Sequence, residues 1–170
     1  MNNFFLRIEI AILAFLLFLM PWAESLGLGF MYARRTVDHA QIAAEVVAAI
    51  NAKDVQKLQS MMCLDINTNV DDLPVKIGEF CDAVLALTDG SLSSYTIEVN
   101  KDVLRMTRPE FGQMQQDIVT INFYFGSIWY RLPITWAICK GPEAGVRRIA
   151  LGNMQNLEVL REIRAIQYVA

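Results

Sequence analysis

The sequence predicts an α+β domain, helices first and antiparallel strands after, behind an apolar amino-terminal segment. Three observations predict it. Residues 10–23 (IAILAFLLFLMPWA) form an uncharged apolar run, whereas hydrophobic residues beyond position 35 recur periodically. Their period is helical as far as Leu87 and becomes two after Gly90. Two alternating runs are then joined by Gly126-Ser127, a hairpin signature. A chain of 170 residues suffices for one domain of ordinary size and is too short for two with sizeable cores.

The first apolar run is short for a membrane span, which takes about 20 residues. It fits the apolar region of a secretory signal, roughly 7–15 residues long. Pro21 breaks the helix just before Ala23-Glu24-Ser25, whose small first and third residues suit a signal peptidase, so residues 1–25 read as a leader cleaved after Ser25. The rival is an uncleaved signal-anchor reaching residue 33 and ended by Arg34-Arg35. Glu24 counts against it, because an acidic group in lipid costs about 3 kcal/mol. The protein is thus expected to be exported, or attached to the membrane by this segment.

From Asp38 the elements follow in order. Asp38 is an N-cap, and Ile42, Val46 and Ile50 recur with Ala43 and Val47 beside them. Asn51-Ala52-Lys53 closes that helix, and Asp54 caps a short second one carrying Val55, Leu58 and Met62. A third starts near Asp72 with Pro74 in its first turn, repeats Leu73, Ile77, Phe80, Val84 and Leu87, and stops at Thr88-Asp89-Gly90. Strands follow around Tyr95, Ile97 and Val99, then Val119 to Phe125, then Ile128 to Ile138, then Val146 to Leu151. One face of each strand is expected to be buried, and Pro133, lacking an N–H, is expected at an edge or a bulge. The tail, residues 153–170, spaces Leu157, Leu160, Ile163 and Ile166 as a short carboxy-terminal helix would.

Chemistry is more notable for what is excluded. Beyond residue 35 the chain carries 12 basic and 16 acidic side chains, so a nucleic-acid partner is not expected. The single histidine, His39, reads as a solvated helix-end side chain, and there is no nucleophile elbow, phosphate loop or zinc spacing. No cofactor, no metal and no catalytic residue is assigned. Cys63, Cys81 and Cys139 read as small buried hydrophobes, with one disulfide as the alternative. Among the carboxylates, Asp71-Asp72 suit a helix N-terminus, while Asp82, Asp117 and Glu98 are the remaining candidates for acid/base work. Arg147-Arg148 sends at least one charge outward. Tyr124 and Trp129 lie on the strand parity opposite the expected core and mark a candidate contact surface.

The stretch AQIAAEVVAAINAKDVQKLQSMMCLDI resembles the opening of nuclear transport factor two-like domains, cystatin-like α+β cones in which three helices pack into a curved antiparallel sheet. Within them the chain is most similar to a bacterial family, domain of unknown function 5104. The resemblance continues through DDLPVKIGEF, the stretch GSLSSY at 90–95, YFGSIWYRL and GVRRIAL, and covers about residues 38–152. It implies a three-helix cone and an exported or lipid-anchored protein, although no lipidation Cys is present here. No catalytic constellation of the wider superfamily can be placed residue by residue.

The function expected is that of a non-catalytic, extracytoplasmic binding domain for a small apolar ligand or an envelope protein, with homodimerisation through the sheet also open. Two alternatives are a membrane-anchored scaffold component of an envelope assembly, and a carboxylate-dependent isomerase, dehydratase or hydrolase using a cone pocket.

Overall fold

The computed structural model describes residues 37–108, 112–139 and 144–165. Four helices precede five strands: α1 (His39–Asn51), α2 (Val55–Met61), α3 (Leu64–Asn69), α4 (Leu73–Ala86), β1 (Thr96–Arg108), β2 (Gly112–Phe125), β3 (Ile128–Ile138), β4 (Gly145–Asn153) and β5 (Glu158–Arg164). The strands form one antiparallel meander in sequence order. Helices first and an antiparallel sheet after is the architecture the periodicity predicts. The leader or anchor expected within residues 1–33 lies outside the described residues. Among the described residues no helix is long and apolar enough to cross a membrane.

The helix starts follow from side-chain capping. Asp38 accepts from the N–H groups of Ala40 and Gln41 at 2.9 and 3.0 Å, and Asp54 accepts from that of Lys57 at 2.9 Å. The apolar face of α1 is buried through Ile42, Val46 and Ile50. Pro74 stands in the first turn of α4, which buries Leu73, Ile77, Phe80 and Val84. Gly90, at φ +87°, returns its N–H to the carbonyl of Leu85 at 2.9 Å and ends the turn after α4.

The short helix α3 has no counterpart in the periodicity, and among the described residues it makes four helices where three are expected from Asp38 onward. Its six residues are too few to show a period. Asn67 holds it by donating to the carbonyls of Met62 and Cys63 at 3.0 and 3.2 Å.

The β2–β3 hairpin is as expected. Gly126 takes φ +60° while Ser127 stays at negative φ, the pattern of a II′ turn. Register then runs unbroken from Phe125 opposite Ile128 to Gln115 opposite Ile138. The inner face carries Val119, Ile121 and Phe123 on β2, Leu132 and Ile134 on β3, and Ile149 and Leu151 on β4, all buried. Phe123 and Tyr130 stack with ring centroids 5.6 Å apart.

Three expectations need correction. The tail is not a helix: Glu158–Arg164 is strand β5, paired to β4 with Ile163 opposite Ile149. Unpaired backbone groups along β4 give the tail a tertiary partner that its own apolar spacing cannot reveal. Pro133 lies in a central strand, not at an edge. Its pairing with Thr120 of β2 is kept, the ladder to β4 skips Leu132 and Pro133, and a register shift follows at Thr135/Trp136. The missing N–H is thus accommodated on the β4 side. Finally, among its described side chains β1 does not bury a face: Val99 is half-buried, but Ile97, Val103 and Leu104 are exposed. β1 is an edge strand with a register shift between Asn100 and Leu104, and such a bulge bends an edge away from its layer.

Candidate functional site

Tyr124 and Trp129 face each other directly across β2 and β3, just before the turn at Gly126. Tyr124 is 69% exposed and Trp129 is 38% exposed. Directly opposed residues of an antiparallel pair bring their side chains within about 5 Å. Arg131, next along the same face, places its guanidinium carbon 5.7 Å from the Trp129 ring centroid. Its Nε donates to Asn122 Oδ1 at 3.1 Å and a terminal nitrogen to Glu98 Oε2 at 2.7 Å. Glu98, one of the candidate carboxylates, therefore positions an arginine. The adjoining β4–β5 turn is fastened here, since the Met154 N–H donates to the Trp129 carbonyl at 2.9 Å and Gln155 Nε2 to that of Ser127 at 3.3 Å. Two turns thus share one end of the sheet, which exposes Tyr124, Phe125, Trp129, Leu157 and Val159.

A second grouping lies inside, and it overturns the reading of His39. That side chain is not solvated: His39 is buried at the first position of α1, with Nε2 2.8 Å from Asp117 Oδ2 on β2. A carboxylate offers only acceptors, so Nε2 carries the hydrogen. The other carboxylate oxygen, Oδ1, accepts from Gln115 Nε2 at 2.7 Å. Asp117 and Gln115 are fully buried. Burying a carboxylate costs several kcal/mol unless it is bonded in this way. Gln115 Oε1 has no hydrogen-bond partner among the described residues, and an unmet buried acceptor costs about 1–3 kcal/mol. The signal for this cluster is legible in part. Asp117 and Gln115 share the parity of Val119, Ile121 and Phe123, so polar side chains at buried positions have to meet partners. Nothing in the sequence says that one partner is a histidine 78 residues away.

The remaining candidates are dispersed. Asp71 and Asp72 are exposed beside the start of α4, and Asp72, at φ +53°, makes no side-chain cap. Asp82 pairs with Lys53 at 2.6 Å on the surface, and its bond raises the lysine pKa above the ordinary value. Of the two adjacent arginines, Arg148 meets Glu162 on the outer face, while Arg147 reaches the buried Asp65 at 3.3 Å. Cys63 and Cys81 are buried and Cys139 is half-buried. Burial pushes the Cys81 thiol pKa up. Among the described residues no three of His, Cys, Asp and Glu are grouped to hold a metal ion.

No protein-family model and no curated protein matches the chain. The functional reading therefore rests on the two groupings. The outer one offers an exposed aromatic surface stiffened by an arginine, the inner one a buried polar cluster.

Proposed function

We propose that the chain is an exported or membrane-attached, non-catalytic binding domain that meets an envelope protein through the shared end of β2 and β3. The observation that carries this reading is the exposed, directly opposed Tyr124–Trp129 pair with Arg131 held over the indole. Tyrosine, tryptophan and arginine are the residue types that dominate binding energy at protein interfaces. The arginine is already oriented by Asn122 and Glu98, so little side-chain entropy remains to be lost on association. Placement among nuclear transport factor two-like cones, and in domain of unknown function 5104, belongs to the same proposal. Its support is the order of the sequence motifs and the layer of helices over one face of an antiparallel sheet.

The test is photo-crosslinking from position 124 in intact cells, with Val75 as an equally solvent-facing control on α4. A discrete protein adduct from 124, lost in Trp129→Ala and absent from 75, is the expected result. Equal adducts from both positions, or none from 124, would sink the contact. Amino-terminal sequencing decides attachment: a mature start at Leu26 removes the scaffold alternative, whereas an intact amino terminus favours it.

A further inference from the structure

We infer that Gln115, Asp117 and His39 form an internal subsite for a small neutral ligand, which donates a hydroxyl or amide hydrogen to Gln115 Oε1 beside Trp136. This goes beyond the surface contact proposed above and does not depend on it.

The amide orientation is chemically forced. The Gln115 nitrogen donates to Asp117 Oδ1 at 2.7 Å, so the amide oxygen points the other way. Turning the amide over would set two oxygens against each other. Oε1 is left buried with no donor from the described residues. Native interiors seldom leave such an atom unmet, so Oε1 calls for a donor from outside the described residues.

Position supports access. Asp117 lies directly across from Trp136, and Gln115 across from Ile138. Ile138 is buried, but Trp136 is only half-buried, and His39 keeps 9% of its side chain accessible. The cluster is therefore close to, but not cut off from, solvent. The carboxylate repels an anion, and the apolar residues around it disfavour a bare cation. A neutral donor on an apolar body satisfies both conditions, and the indole of Trp136 offers a flat face for that body.

His39 is the single histidine of the chain, so its imidazole gives one unambiguous NMR signal next to the subsite. The full chain is titrated with benzyl alcohol and, separately, with benzyl methyl ether, which has nearly the same shape and no donor. Benzyl alcohol is expected to shift the His39 signal saturably and to bind about tenfold tighter than the ether, the weight of one hydrogen bond to a buried acceptor. In Gln115→Met the preference for the alcohol is expected to vanish. Equal binding of the two probes to the wild-type chain, or no movement of the His39 signal with the alcohol, overturns the proposal. Because that comparison uses the wild-type chain, it decides the matter even if Gln115→Met fails to fold.

Discussion

Gly145 opens β4 at φ +123°, and a Cβ there would stand 2.6 Å from the carbonyl oxygen of Met61. The end of α2 passes that close because the following N–H, of Cys63, donates to the carbonyl of Val146 at 3.0 Å. Both the backbone angle and the contact exclude a side chain. Gly145→Ala is expected to destabilise the fold by about 2–4 kcal/mol, strain and displacement together. Gly126 is the internal comparison, since it has φ +60° and a Cβ added to it would meet nothing within 4 Å. Gly126→Ala is expected to cost only the conformational part, about 1–2 kcal/mol. Urea denaturation of the two variants measures the difference, and equal losses would mean that the close approach at Met61 is relieved at no cost. His39 belongs to the same scale. Its position at a helix start is legible in the sequence, its burial is not, because the group that buries it comes from β2.

At the scale of elements, the tail is the instructive case. As a helix it would put Leu157, Leu160 and Ile163 on one stripe. As β5 it separates them: Leu157 sits at φ +57° in the β4–β5 turn and is 78% exposed, while Ile163 is buried opposite Ile149. The two arrangements predict different mutational costs. Ile163→Ala is expected to lose about 2–4 kcal/mol of stability, whereas Leu157→Ser should stay within about 0.5 kcal/mol. Comparable losses at both positions in thermal or urea melts would restore the helix. The other elements are readable because each carries its own local signal. Asp38 and Asp54 cap their helices through contacts two or three residues away, and Gly126 sets its hairpin within a two-residue turn. Helix α3 has no such period, and β1 has an alternating pattern whose described side chains stay half-buried or exposed.

For the molecule as a whole, the helical layer is tied to the sheet by long-range polar contacts as well as by apolar packing. His39 meets Asp117 and Asp65 on α3 meets Arg147 on β4, while the Asn51 side chain fastens the loop that leads into β1 through both backbone groups of Leu92 at 2.8 and 3.2 Å. Asp65 is buried, and so is most of Arg147. Removing one member of such a pair leaves the other charge poorly solvated, at a cost of about 3 kcal/mol. Asp65→Ala is therefore expected to lower the urea midpoint by the equivalent of that loss with an unchanged slope, since helices and sheet melt as one unit. A second, separate transition in the variant would show instead that the helical layer unfolds by itself. Surface pairs behave differently: the bond from Lys57 holds the Glu45 carboxyl below its ordinary range, but both side chains face solvent and salt screens them.

The sequence by itself determined the α+β class, the order of helices and strands, the capped starts of α1 and α2, the II′ hairpin and the outward parity of Tyr124 and Trp129. Each of these rests on neighbours within about four residues or on a repeat of about 2 or 3.6. Only the tertiary structure decided that the tail is a strand, that Pro133 is tolerated in the middle of the sheet and that Ile97, Val103 and Leu104 of β1 are exposed. It also decided that His39, Asp117 and Gln115 meet. Those outcomes depend on which groups remain unpaired once the layers are assembled, and that is a property of partners many residues apart.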